Sequence, residues 1–261
     1  MVSPRESDQG LARRRRIVHA LLGLGLAAAA AGWWFEDALP GPETIHPRLL
    51  AEPLQSAVEA PMFKATVHGI EYIVRPRYSY DISGLVVSRH DTDAWWDTAH
   101  RDDLFNPVDL CVVWGRNAST GLYRDMRFQN GQWTCYAQQR GGMVDFDLTQ
   151  FSNNHLVTDR GDVRRAVRRI RIGDQVRLRG YLVDYGVLRD GGPAQMRVSS
   201  NTRLDTGPGA CEIVLVTSVE SLGSAPAVWR MLWYGGLTLL AVGGVAWLRL
   251  PLPRVDESDL P

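Results

Sequence analysis

Apolar and polar positions alternate along Val176–Val183: Val176, Leu178, Gly180 and Leu182 face one way, and Arg177, Arg179, Tyr181 and Val183 the other. A period of two predicts a strand with one face in a core. Just upstream, Val163, Ala166, Val167 and Ile170 recur at i, i+3, i+4 and i+7, the single apolar stripe of an amphipathic helix. Gly173-Asp174 supplies the turn between them. The same reading gives a hairpin over Phe63–Val74 turning at His68-Gly69 and a long strand over Tyr78–Ser88 that bends near Ser83-Gly84. A second strand covers Val108–Gly115, where Leu110, Val112 and Trp114 alternate with Cys111 and Val113, and a third covers Trp133–Ala137. Ser152-Asn153-Asn154-His155-Leu156 reads as the approach to the helix. The fourth strand runs on to Leu188, Asp190–Pro193 turns into Ala194–Ser199, and Cys211–Glu220 closes the set. Leaving the hairpin aside, three strands, a helix and then the closing strands is the order of an OB-type barrel. The expected fold is mainly β: an OB-like Greek-key barrel with one helix before the fourth strand, flanked by two transmembrane helices.

Two stretches break the alternation. Ile17–Phe35 and Met231–Leu248 carry no formal charge, and each approaches the ~20 residues that cross a ~30 Å hydrocarbon layer. Trp33 and Trp34 end the first stretch, and Trp229, Trp233 and Tyr234 stand at the start of the second, where interfacial aromatics collect. Arg13–Arg16 precede the first span, and Arg249 and Arg254 follow the second, so both ends are expected in the cytoplasm and everything between outside it. A cleaved signal peptide is the alternative for the first span and exports the same central region. The expected organisation is a cytoplasmic tail over 1–16, a span over 17–35, a linker over 36–61 with a short helix within Pro47–Glu59, an exported β domain over 62–224, a span over 225–248 and a cytoplasmic tail over 249–261.

Charge sharpens this only a little. There are 29 basic and 29 acidic residues, and Lys64 is the lone lysine among the basic ones. That skew fits a GC-rich bacterial genome, so an arginine is not by itself a functional signal. The segments Tyr80–Ser88, Leu110–Gly115, Trp133–Cys135, Asn153–Leu156, Gly173–Val176 and Gly209–Glu212 together resemble a group of uncharacterised bacterial membrane-anchored proteins with an exported OB-like β domain. The resemblance implies one continuous domain over roughly residues 78–220 and brings no activity with it.

Candidate chemistry is sparse. In His90–His100, a helical reading would align Asp93, Asp97 and His100 on one face beside His90, and imidazoles with carboxylates suit zinc or a similar ion. The alternative is a solvated segment with Trp95 or Trp96 tucked onto the barrel. A second cluster, Arg164, Arg165, Arg168, Arg169, Arg171, Arg177 and Arg179, has Tyr181 nearby for stacking, as nucleic-acid-binding barrels do. Export and a slightly acidic central region exclude nucleic acid, leaving Arg177, Arg179 and Tyr181 as a surface for an acidic protein or anionic lipid. His155 lacks a nucleophile and an orienting acid at any informative spacing, and nothing places Asp205 beside Glu212. No nucleophile elbow, phosphate loop or dinucleotide fingerprint is present. No catalytic residue and no cofactor is assigned. Cys111, Cys135 and Cys211 allow one disulfide in an oxidising compartment, expected as Cys135–Cys211 with Cys111–Cys135 second. The functional expectation is a module in the bacterial inner membrane whose exported barrel binds another membrane or periplasmic protein, or anionic lipid, without catalysis. A metal-dependent exported enzyme using His90–His100 is the alternative.

Overall fold

The computed structural model describes residues 4–131, 133–189, 192–193, 195–202 and 211–251. In chain order the elements are helix α1 (Pro4–Trp34); strands β1 (Leu54–Ala57), β2 (Phe63–Val67), β3 (Ile70–Asp91) and β4 (Val108–Val113); and helix α2 (Gly115–Ser119). There follow strands β5 (Met126–Asn130), β6 (Cys135–Gln139) and β7 (Phe151–Val157), and helix α3 (Gly161–Arg169). Strands β8 (Gln175–Arg189), β9 (Gly192–Pro193) and β10 (Cys211–Gly223) and helix α4 (Ala227–Leu248) complete the chain. Contacts divide it into two units, Asp37–Ala225 and the terminal pair Met1–Glu36 with Pro226–Pro261.

The central unit is built on a mixed sheet whose path runs β1-β3-β4-β7-β10-β8-β9, with β2 added to β3. A further pairing of β3 with β8 links strands from the two ends of that path. All these pairs are antiparallel except β7 with β10, which is parallel. The 22-residue β3 can serve β1, β2, β4 and β8 because it is interrupted twice. Its register shifts against β8 between Pro76 and Tyr78, where a proline without an N–H fits a bulge, and against β4 between Val86 and Ser88. The hairpin to β2 turns on His68 and Gly69, both at positive φ, as expected. Gly180 is required by packing: a Cβ there would lie 1.9 Å from the Leu215 carbonyl oxygen of β10.

The main core takes side chains from β3 (Tyr80, Ile82), β4 (Leu110, Val112), β7 (Leu156), β8 (Leu178, Leu182) and β10 (Val214, Val216). Helix α3 presses Val163 and Val167 into the same cluster, with Ile170 just beyond its end, so the stripe read from the sequence is the buried one. The opposite faces of β4, β7, β8 and β10 are covered as well. One outer cluster gathers Tyr72, Phe105, Val157, Val183, Tyr185 and Ile213, and another gathers Leu49, Leu85, Cys111, Val113 and Tyr123.

Four expectations change. The third strand of the main sheet is β7, not Trp133–Ala137; the latter contributes to β6, which pairs with β5 in a separate two-stranded sheet. The Ser-Asn-Asn-His run disguised β7, because its polar side chains are buried by partners elsewhere in the fold. The disulfide consequently joins Cys111 to Cys135, with Cα atoms 6.0 Å apart, and Cys211 is a buried free thiol. Cys135 lies on the β5–β6 hairpin, outside the main sheet, and its thiol reaches β4 rather than β10. Residues 36–61 are not a free linker. Two short 3-10 turns, Pro42–Thr44 and Pro47–Leu50, bury Leu49, β1 pairs with β3, and the His46 N–H donates to Gln175 Oε1 at 2.6 Å. Nor is Pro47–Glu59 an α-helix.

In the terminal unit, α1 has 31 residues and α4 has 22, each long and apolar enough to span a bilayer. They run antiparallel: Gly32 faces Trp229 and Trp233, Gly25 faces Gly236 and Leu240, and Gly243 faces Leu22. Small residues at these positions let the backbones approach closely. Arg15 donates to the Pro251 carbonyl at 2.8 Å, placing the start of α1 beside the end of α4.

Candidate functional site

His90 on β3, Asp109 on β4 and His155 on β7 stand directly opposite one another in the cross-strand register. Side chains alternate along β4, so Leu110 enters the main core while Asp109 points to the outer face of the sheet. The segment 92–107 and the hairpin β5–β6 cover that face. Asp109 is 1% exposed, yet its carboxylate is satisfied: Asn106 Nδ2 donates to Oδ1 at 2.8 Å and His155 Nδ1 lies 2.8 Å from the same oxygen. Burial disfavours a charged imidazole at His155, but the adjacent Asp109 carboxylate more than offsets it and pushes the pKa up to about 9. Burial likewise opposes the Asp109 carboxylate, and His155 and Asn106 hold its pKa below the usual carboxylate range. Buried and ion-paired, His155 is a fastening between β4 and β7 rather than an accessible base.

Beside this pair a second cluster converges. His90 Nε2 and His100 Nδ1 each lie 2.6 Å from the same oxygen, Asp97 Oδ2. Asp97 Oδ1 accepts the N–H groups of Ala99 at 2.8 Å and His100 at 3.1 Å, which fixes the direction of Oδ2. Burial works against the Asp97 carboxylate, yet the histidine and backbone donors bring its pKa down to about 2. Three candidate ligand atoms, one each from His90, Asp97 and His100, fall within 4.8 Å of one another. The His90 side chain is 26% exposed and that of His100 fully buried, with the Trp133 ring centred 4.0 Å from the His100 ring. The segment is a series of turns, not a helix, so tertiary folding assembles the cluster, not helical spacing.

Asp93 does not join it. Its carboxylate is taken by Arg164 at 2.7 Å and Arg168 at 3.2 Å, tying the segment to α3. Trp95 and Trp96 are 86% and 66% exposed and meet edge to face, so the segment is solvated, as in the alternative reading, but neither indole is tucked in. Arg177 and Arg179 lie on the outward face of β8 with Tyr181. Arg177 is held by both oxygens of Asp81, at 2.8 and 2.6 Å, and Arg179 Nε donates to Ser218 Oγ. The Arg177 charge is therefore neutralised, whereas Arg179 keeps its own. Glu212 is buried opposite Asn154; Asp205 lies outside the described residues, as does Arg254.

Sequence reasoning missed Asp109, Asn106 and a further buried group. Arg197 Nη1 donates to Asp103 Oδ2 at 2.7 Å and to the Tyr185 hydroxyl, which itself donates to Asp103, while the guanidinium also stacks on Trp133. Burial, then the Asp103 charge, raises the Tyr185 pKa well above the usual phenol range. One signal was available: a carboxylate within the otherwise apolar strand Val108–Val113 must find a partner if it is buried. Asp103 and Arg197 carried no such mark. Comparison with protein-family models, with curated proteins and with solved structures finds no match to the chain.

Proposed function

We propose that this chain is a non-catalytic binding module of the bacterial inner membrane, an extracytoplasmic OB-like barrel carried between two membrane-spanning helices. The pairing order β3-β4-β7-β10-β8 with return to β3, its single parallel pair β7–β10, and a helix between β7 and β8 support the OB reading. The antiparallel apolar pair and Arg13–Arg16 support the anchoring and its direction.

The observation that carries the binding role is the Trp95–Trp96 pair. Two indoles stand in solvent on a turn pinned on one side by Asp93 to Arg164 and on the other by Asp97 to His90 and His100. Large aromatics on a pre-ordered segment bury much area at little entropic cost, which is the character of a protein-docking anchor. The partner is taken as a protein, since the exposed indoles offer apolar docking area and the Arg177 guanidinium is already paired with Asp81. A photo-cross-linking amino acid placed at position 95 in cells should give a discrete adduct with another protein, reduced several-fold by Trp96→Ser. The same probe at exposed Met143 should give none. Adducts with lipid alone, or identical adducts from both positions, would refute the reading.

A further inference from the structure

We propose that His90, Asp97 and His100 bind one divalent transition-metal ion of the zinc class, with Asp109 orienting His100. The ligand atoms are His90 Nε2, Asp97 Oδ2 and His100 Nδ1, drawn from the end of β3 and from the turn that follows it. Two imidazoles and a carboxylate suit zinc or cobalt, whereas magnesium and calcium prefer all-oxygen shells. Both nitrogen-to-oxygen separations are 2.6 Å, and an opening of under ~1 Å reaches the edge of a tetrahedron with metal bonds of about 2.0–2.1 Å.

The far nitrogen of His100 provides the independent argument. His100 Nε2 is buried without a hydrogen-bond partner and lies 4.0 Å from Asp109 Oδ2. A buried ring nitrogen without a partner beside a carboxylate is costly unless that nitrogen carries a hydrogen directed at the carboxylate. With an ion on Nδ1, Nε2 carries the hydrogen and directs it at Asp109. That is the carboxylate–histidine–metal order in which ligating histidines are commonly held. Asp109 is already fixed for the role by Asn106 and His155. The partly exposed His90 ring marks the side on which an ion enters and on which water completes its coordination. Bound there, the ion joins β3 to the turn bearing Trp95 and Trp96.

The test uses the full chain in detergent, stripped with a chelator and dialysed against zinc, then against cobalt. One zinc per chain should be retained, and cobalt should give visible bands of a nitrogen- and oxygen-coordinated ion. Asp109→Asn should weaken binding by ~10–100-fold, the range typical of a residue that orients a ligand. Because that change also removes a buried ion-pair partner, His90→Ala at the partly exposed ring decides the matter. It should weaken zinc at least ~10-fold while the stripped variant, which also loses the His90–Asp97 contact, still unfolds in one cooperative transition. Failure of the wild type to hold a stoichiometric ion, or zinc binding by His90→Ala as tight as wild type, would overturn the proposal.

Discussion

Asp109 and His155 illustrate how a single buried pair links the register of two strands to pH. The pair spans β4 and β7 at a point where both are covered on both faces, so each charge depends on the other. His155 titrates near 9 in the folded chain, against an ordinary value of 6.5. Its contribution is therefore fully present below that ordinary value and is lost as pH rises through the folded one. Asp109 has the opposite sign: its folded pKa is lowered, so its contribution is present above the usual carboxylate value and fades as pH falls through the lowered one. The expected result is a loss on the order of 2–4 kcal/mol in the urea unfolding free energy between about pH 6 and pH 10. His155→Gln should be less stable at pH 6 and should flatten that alkaline limb. An unchanged limb in the variant would assign the pH dependence to other groups.

At the scale of elements, the two apolar helices offer a sharp contrast between neighbouring glycines. A Cβ on Gly236 would fall 2.4 Å from the Ala29 nitrogen, whereas one on Gly235 meets nothing within 4 Å. Gly236→Leu therefore overpacks the seam at a cost of about 1–3 kcal/mol, and Gly235→Leu projects away from it. Cysteines replacing Leu22 and Gly243, which face each other, report the packing by oxidative cross-linking in a Cys211→Ser background. The yield should fall at least ~5-fold with Gly236→Leu and stay within about twofold with Gly235→Leu. Equal yields from both variants would mean that α1 and α4 do not pack through this face in the membrane.

For the whole molecule, the antiparallel pair and the basic cluster lead to one topology. The Arg15 contact with the Pro251 carbonyl brings the two polar flanks of the helix pair together, so in the proposed two-span arrangement both would lie on one side of the bilayer. On the proposed anchoring, Arg13–Arg16 would put that side in the cytoplasm. A reporter enzyme active only outside the cytoplasm should be silent when fused after Pro261. It should be active when it replaces the chain from Pro226 onward. Strong activity of the fusion after Pro261 would exclude two spans.

Periodicity was sufficient wherever a residue's neighbours along the chain define its surroundings. The stripe Val163, Val167, Ile170 and the alternation Val176, Leu178, Leu182 were legible because water selects apolar side chains at the helix and strand repeats. The two long apolar helices and the His68-Gly69 turn were legible for similarly local reasons. Tertiary structure alone decided which strand follows β4 in the sheet. Asn153, Asn154 and His155 read as the polar approach to the helix, and Cys211, the Leu110 carbonyl and Asp109, all distant in sequence, allow them to be buried. The disulfide partner of Cys111 and the removal of Asp93 from the His90–Asp97–His100 cluster follow from the same cause. A polar residue's environment is set by whatever donor or acceptor the fold brings within ~3 Å, and local periodicity does not encode that distance.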